Sequence, residues 1–146
     1  IKRILQHVLP EEIRENISSS LFKKYVGHSM KEFSEKLYMN KDEVSELVKS
    51  GMCIGSHGDN HYWLSKISES EQRAEIKNSL EFLEEVGTSL TDWIISYPFG
   101  GFNKTTLSLV KEYGASLGLT TEVAVALIGK TNPLTLPRLD TNEFPQ

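Results

Sequence analysis

Two histidines lie four residues apart in a segment that begins with a glycine and a short apolar run. The segment is Gly51–Leu64, which reads GMCIGSHGDNHYWL, and its histidines are His57 and His61. The run is too short for a helix and is bounded by glycines, so we predict a buried strand over residues 52–55. The histidines then follow the carboxyl end of this strand, where parallel α/β folds place their chemistry. Two imidazoles brought together there are candidate ligands of one metal ion.

The histidine pair also has a plainer interpretation, as two polar loop residues of which one caps a backbone carbonyl. The glycines and polar residues around the pair favour a loop over a helix. A zinc ion usually takes three protein ligands and keeps one position open for water. Asp59 lies between the histidines and is expected to point away from a site that they share. Asp140 follows a later predicted strand and is a better candidate, but the sequence does not identify the third ligand.

A turn of proline, an aromatic residue and two glycines follows the second predicted strand. It reads Tyr97-Pro98-Phe99-Gly100-Gly101. Such a turn exposes backbone N–H groups, which stabilise an oxyanion, and an apolar wall, which suits a sugar ring. The alternative is an ordinary strand-to-helix turn with a hydrophobic plug.

A third candidate is the pair Arg138 and Asp140, at the end of a strand predicted over residues 134–139. Residues two apart on a strand share a face. The pair therefore either orients a site or forms a plain surface ion pair.

Helical patterns alternate with these strands. The predicted order is a helix over 1–9, a second helix from Pro10, helical pieces joined at 27–29, a helix from Asn40 to Gly51, strand 52–55, a helix from Ser68 to Gly87, strand 93–95, a helix from Asn103 to Gly114, strand 115–119, a loop over 120–133 and strand 134–139. This alternation implies parallel strands with helices packed outside. The length favours one domain, 1–146, with a helical part at 1–39 and a core at 40–142.

Composition excludes several classes of function. The net charge of −4 leaves no basic footprint for nucleic acid. No run of about 18 apolar residues exists, so no membrane span is expected. The single Cys53 is expected to be a small buried hydrophobe. The chain shows no signal peptide, and this slightly favours a cytoplasmic location for the protein.

Together these motifs resemble the polysaccharide deacetylase family, the NodB homology domain of carbohydrate esterase family 4. The second motif of that family is His-Ser/Thr-x-x-His after Ile-Gly-Ser, and residues 54–61 read IGSHGDNH, with Gly58 after the first histidine. A variant of its third motif is Tyr-Pro-Phe-Gly, as in residues 97–100. Leu136–Asp140 resembles the terminal Pro-Arg segment of the same variant group. The resemblance covers about residues 40–142.

The resemblance implies an α/β fold, the NodB-type (β/α) barrel. The first motif of the family, an Asp-Asp that supplies a base and a metal ligand, is not found in this sequence, and neither is its late Leu-x-His motif. We therefore expect the first strand, with the base Asp, to lie upstream of Ile1. The barrel is then incomplete, and the chain alone is expected to be inactive.

The resemblance also implies a reaction, the metal-dependent removal of N-acetyl or O-acetyl groups from a carbohydrate, such as a surface polysaccharide or its precursor. His57 and His61 would hold a divalent ion, zinc first, with cobalt, nickel or manganese as alternatives. The Phe99 N–H would stabilise the oxyanion, Tyr97 and Phe99 would flank the sugar, and Arg138 would orient the site. Two other classes remain open, namely a non-catalytic carbohydrate-binding module and a metal-linked interaction domain that self-associates through an open barrel edge.

Overall fold

The structure is a computed structural model that describes residues 4–27 and 29–143. Its contacts divide the chain into two units, Ile1–Glu43 and Val44–Gln146. Within the described residues, no helix has both the length and the apolar character needed to cross a membrane.

The first unit is helical, as predicted. It contains a π-helical turn at Ile4–Val8, helix α1 at Glu11–Tyr25 and helix α2 at Met30–Leu37. Ser29 begins α2 with a capping box, in which its hydroxyl accepts from the Glu32 N–H. Of the predicted joint at 27–29, His28 lies outside the described residues.

Three further helices begin directly after the polar capping residues from which the sequence predicts them. Helix α3 is Lys41–Lys49, α4 is Glu69–Glu85 and α5 is Lys104–Glu112. The side chains of Asn40, Ser68 and Asn103 each accept a hydrogen bond from the backbone N–H three residues later. Each bond satisfies an N–H that the first turn of a helix leaves without a partner, so it fixes where the helix begins.

The sheet is parallel, as the alternation of elements predicts. Strand β1 is Ile94–Ser96 and strand β2 is Leu117–Leu119, and Ile95 lies opposite Gly118. One parallel bridge joins Ser56 to Ile95, and another joins Leu119 to Leu136. The pairing order therefore follows the chain, and the carboxyl ends of all four segments lie at one edge.

Two of the predicted strands are wrong in extent. Residues 52–55 form no ladder, because the Met52 N–H is bonded to the Leu47 carbonyl at the end of α3 and only Ser56 pairs with β1. Cys53 is exposed, which corrects its predicted burial.

At the other edge of the sheet, residues Pro133–Thr135 form a 3₁₀ turn, and Leu136 makes a single bridge. Pro137 has no N–H with which to continue a ladder. The α/β class is confirmed, but the segments that the structure describes form an open sheet rather than a closed barrel.

The core lies between the sheet and helices α4 and α5. It consists of Leu64, Ile76, Leu80, Leu83, Trp93, Ile95, Tyr97, Leu109, Val110 and Leu134. A buried hydrogen bond of 2.7 Å from the Thr106 hydroxyl to the Gln72 side chain joins the two helices. Because β1 crosses this core, the residues that follow it are held on a rigid support.

Candidate active site

His57 and His61 lie side by side at the carboxyl edge of the sheet. Their ring centroids are 4.7 Å apart, with the ring planes at 64°, and both side chains are exposed. His57 follows Ser56, whose backbone N–H and carbonyl are bonded to Ile94 and Ser96 of β1. The pairing of Ser56 with β1 therefore fixes where the first histidine emerges.

The hydrogen bond of the His57 ring decides which of its nitrogens can bind a ligand. Nδ1 lies 2.6 Å from the Ser96 carbonyl oxygen. A carbonyl oxygen only accepts, so we assign the proton to Nδ1 and the lone pair to Nε2. Metal-binding histidines usually donate their other ring N–H to a carbonyl or carboxylate in this way. The donor set thus fits a metal at Nε2.

Asp59 does not complete this set. Its carboxylate accepts from the Asn78 side chain at 3.0 Å and from the Asn60 side chain at 3.2 Å. It is thus held against α4, in line with the expectation from its place between the histidines. Among the described residues, no group of three His, Cys, Asp or Glu side chains could hold an ion. His57 and His61 would therefore supply two ligands of an ion, and the described residues place no third candidate beside them.

An aromatic stack lies against the second histidine. The ring centroids of His61 and Phe99 are 4.5 Å apart at 67°, an edge-to-face arrangement. Phe99 in turn stacks on Trp63, with 4.9 Å between centroids and 5° between planes, and the Lys66 ammonium lies 4.4 Å from the centre of the Trp63 ring. These contacts hold the His61 ring in place. Sequence reasoning did not assign Trp63 to the site.

The turn after β1 presents one backbone donor beside the histidines. Pro98 has no N–H, while those of Gly100 and Gly101 are bonded to the Tyr97 and Pro98 carbonyls. The Phe99 N–H makes no hydrogen bond within the described part of the chain. Phe99 has a positive φ of 56°, which is uncommon for a residue with a side chain and is often found at functional sites. The turn therefore leaves the Phe99 N–H as the candidate oxyanion donor.

Tyr97 does not form the sugar-facing wall that the sequence predicts. Its side chain is 1% exposed, and its hydroxyl donates to the Leu134 carbonyl at 2.8 Å. Burial raises the pKa of Tyr97 to about 12. Pro98 is fully buried as well. Tyr97 is thus a core residue that supports the turn, and within this motif Phe99 keeps a partly exposed ring.

Arg138 and Asp140 lie in the terminal segment and serve its local structure. The Arg138 Nε donates to the Thr120 carbonyl at 2.8 Å. The Asp140 carboxylate accepts from the Asn142 N–H at 3.0 Å, and this bond holds its pKa below the ordinary value. In the described region, neither side chain is bonded to His57 or His61 or forms an ion pair with the other.

A buried carboxylate beneath the histidine loop was missed by sequence reasoning. Glu75 of α4 is 4% exposed and accepts from the backbone N–H groups of Asp59 and Asn60 at 3.0 and 2.8 Å. The signal was present in the sequence. Gln72, Glu75 and Ser79 repeat at helical spacing beside the apolar face of α4, and all three are buried. Polar residues in such a row need partners from a neighbouring segment.

Comparison with known proteins matches this chain to polysaccharide deacetylases. The polysaccharide deacetylase family model matches residues 10–118. Among curated proteins, YxkH of Bacillus subtilis (strain 168), named as a polysaccharide deacetylase, is 29% identical over 96 residues, which is 66% of this chain. The chain spans 34% of the length of YxkH.

Solved structures agree with this match. The deacetylase PplD of Streptococcus pyogenes, in complex with acetate, has a TM-score of 0.63 and 28% identity over 69% of this chain and 44% of its own. IcaB from Ammonifex degensii has a TM-score of 0.58 and 26% identity over 68% of this chain and 46% of its own. The family model covers more than half of the sequence, and the chain therefore belongs to the polysaccharide deacetylase family.

Proposed function

We propose that this chain supplies the histidine and oxyanion parts of a site that removes N-acetyl groups, or O-acetyl groups, from a carbohydrate. The observation that carries the proposal is the bond between His57 Nδ1 and the Ser96 carbonyl, which leaves Nε2 as a ligand beside His61. These two residues would hold a divalent ion, zinc first, with cobalt, nickel or manganese as alternatives. Such an ion lowers the pKa of water and polarises a carbonyl.

The residues of the chain have separate roles in this proposal. The Phe99 N–H donates to the oxygen of the acetyl group as negative charge develops on it, because that donor makes no hydrogen bond to any of the described residues. The Phe99 ring lies next to the sugar and keeps His61 in place. We further propose that the third ligand and the base that takes a proton from water are carboxylates outside the described residues. The 146-residue chain alone would then bind the ion without turnover.

Two relatives support a deacetylase. YxkH carries that name, and the structure of PplD contains acetate, the product that removal of an acetyl group releases. The acceptor that this protein deacetylates is part of the proposal, with a surface polysaccharide or its precursor as the substrate class.

The test is acetate release from N-acetylglucosamine oligomers by the full-length gene product. We expect turnover that a chelator abolishes and zinc restores, and a loss of at least about a hundredfold in His57→Ala, because removing a ligand removes the water activation that the ion provides. The 146-residue chain serves as a comparison and is expected to release no acetate. Full activity in the chelated protein or in His57→Ala would contradict the proposal.

The same experiment separates the two alternatives. Zinc binding without turnover by the full-length gene product would favour a non-catalytic carbohydrate-binding domain. Dimerisation that depends on protein concentration would favour an interaction domain that pairs through the open sheet edge.

A further inference from the structure

We infer that Glu75 is a positioning residue that sets the separation of His57 and His61 by holding the loop between them. The inference rests on the proposed metal-binding function. Glu75 takes three hydrogen bonds from this loop, because its second carboxylate oxygen accepts from the Asn60 side chain at 2.6 Å in addition to the two backbone bonds. Through these bonds one side chain fixes the two residues that immediately precede His61.

The loop is shaped to approach this carboxylate. Gly58 has a φ of +76°, and a Cβ built there would lie 3.3 Å from the nearer Glu75 oxygen. Glycine therefore suits the position for two reasons, its left-handed backbone and its closeness to Glu75. The backbone turns its N–H groups inward at Asp59 and Asn60, while the two histidine rings remain exposed on the outer side.

Two neighbours on the same face of α4 hold the rest of the loop. The Ser79 hydroxyl is 2.8 Å from the Ser56 hydroxyl, just before His57. The Asn78 side chain donates to the Asp59 carboxylate at 3.0 Å. Residues 78 and 79 both lie about one helical turn after residue 75, so neighbouring positions on one rigid helix support the loop. Of these three, only Glu75 contacts both Asp59 and Asn60, the two residues that precede His61.

Loss of Glu75 would leave two part-buried backbone N–H groups, those of Asp59 and Asn60, without this partner. A donor that is shielded from water and has no acceptor is unfavourable. The loop is expected to relieve this cost by turning its N–H groups to water, and that change alters the distance between the two imidazoles. A metal site formed by two histidines depends on the distance between their rings. The affinity for the metal is therefore a direct measure of the loop geometry.

The experiment compares zinc affinities by isothermal titration calorimetry in Glu75→Leu, Glu75→Gln and Glu71→Gln. Glu71 is the matched control because it lies one turn earlier on α4 and its carboxylate accepts from Ser68, away from the loop. We expect Glu75→Leu to weaken zinc binding by about 10–100-fold, the range found when outer partners of metal ligands are removed. Glu75→Gln keeps one acceptor oxygen and should recover most of the affinity. Glu71→Gln should bind zinc as the wild type does.

Amide NMR gives a readout that needs no metal. In Glu75→Leu, the Asp59 and Asn60 amide resonances should move upfield and exchange rapidly with solvent, while those of α4 stay in place. If Glu75→Leu does not fold, Asn60→Ala removes the 2.6 Å bond from the loop side and should lower zinc affinity several-fold, by an amount in line with the loss of one bond to a carboxylate.

The outcomes distinguish the inference from the proposed function. A folded Glu75→Leu variant with wild-type zinc affinity would overturn the inference alone, as would equal losses in Glu75→Leu and Glu71→Gln. A wild-type chain that binds no zinc would overturn the proposed function, and with it the inference.

Discussion

Zinc affinity is expected to fall by more than about a hundredfold when His57 is replaced by alanine. Removing even an outer partner of a metal ligand costs about 10–100-fold, so removing a ligand should cost more. The effect should be large because, in the proposed site, His57 is one of the two ligands that the described part of the chain supplies. Calorimetric titration of the purified chain with zinc measures it.

The remaining histidines of the sequence provide the matched control. His7→Ala and His28→Ala each remove one imidazole and leave residues 57 and 61 of the sequence unchanged. Both should bind zinc as the wild type does. Equal losses in His7→Ala and His57→Ala would show that zinc binds to histidines nonspecifically, and no loss in His57→Ala would exclude His57 as a ligand.

Gly118→Ala is expected to destabilise the fold by about 3 kcal/mol, the upper part of the range for overpacking a core. Gly118 lies in the middle of β2 and is buried. A Cβ there would overlap the Leu134 carbonyl oxygen and lie 2.6 Å from the Tyr97 hydroxyl oxygen. Those two atoms are hydrogen-bonded to each other beneath the turn at 97–100, so the methyl group must displace the turn or separate β2 from the segment after it.

Urea unfolding of Gly118→Ala and Gly114→Ala measures this prediction. Gly114 ends α5 with a φ of +83° and has nothing within 4 Å of a built Cβ. Its replacement should cost only the strain of a left-handed alanine, about 1 kcal/mol. A smaller loss for Gly118→Ala than for Gly114→Ala would contradict the close packing of Gly118 against Tyr97 and Leu134.

The helix boundaries could be predicted from the sequence because the bonds that set them are local. Asn40, Ser68 and Asn103 each cap a helix through an N–H three residues away, so a short pattern contains the whole interaction. The strands depend on partners that are distant in the chain. The run at 52–55 is apolar, as a strand would be, yet it forms no ladder and Cys53 is exposed. An apolar run does not show which segment, if any, lies beside it.

The candidate site also combines local features, which the sequence predicts, with contacts between distant segments, which it does not. The spacing of the histidines and the glycines around them correctly indicated a loop in which His57 and His61 lie close together. The turn at 97–100 was identified as a functional candidate, but its residues have different positions. Tyr97 lies in the core, whereas Phe99 contacts His61. Glu75 is 16 residues from Asp59 along the chain, and their contact depends on how α4 packs beneath the loop. Local patterns contain no such information.

The most direct test of the central claim is a zinc titration of the chain followed through the imidazole nitrogens by long-range ¹H–¹⁵N NMR. If His57 and His61 bind one ion together, their resonances should change in parallel and reach completion at one zinc per chain. The Nε2 signal of His57 should shift strongly, its Nδ1 should remain protonated against the Ser96 carbonyl, and the signals of His7 and His28 should not change. Unchanged His57 and His61 resonances, or separate titrations of the two rings, would contradict a shared metal site.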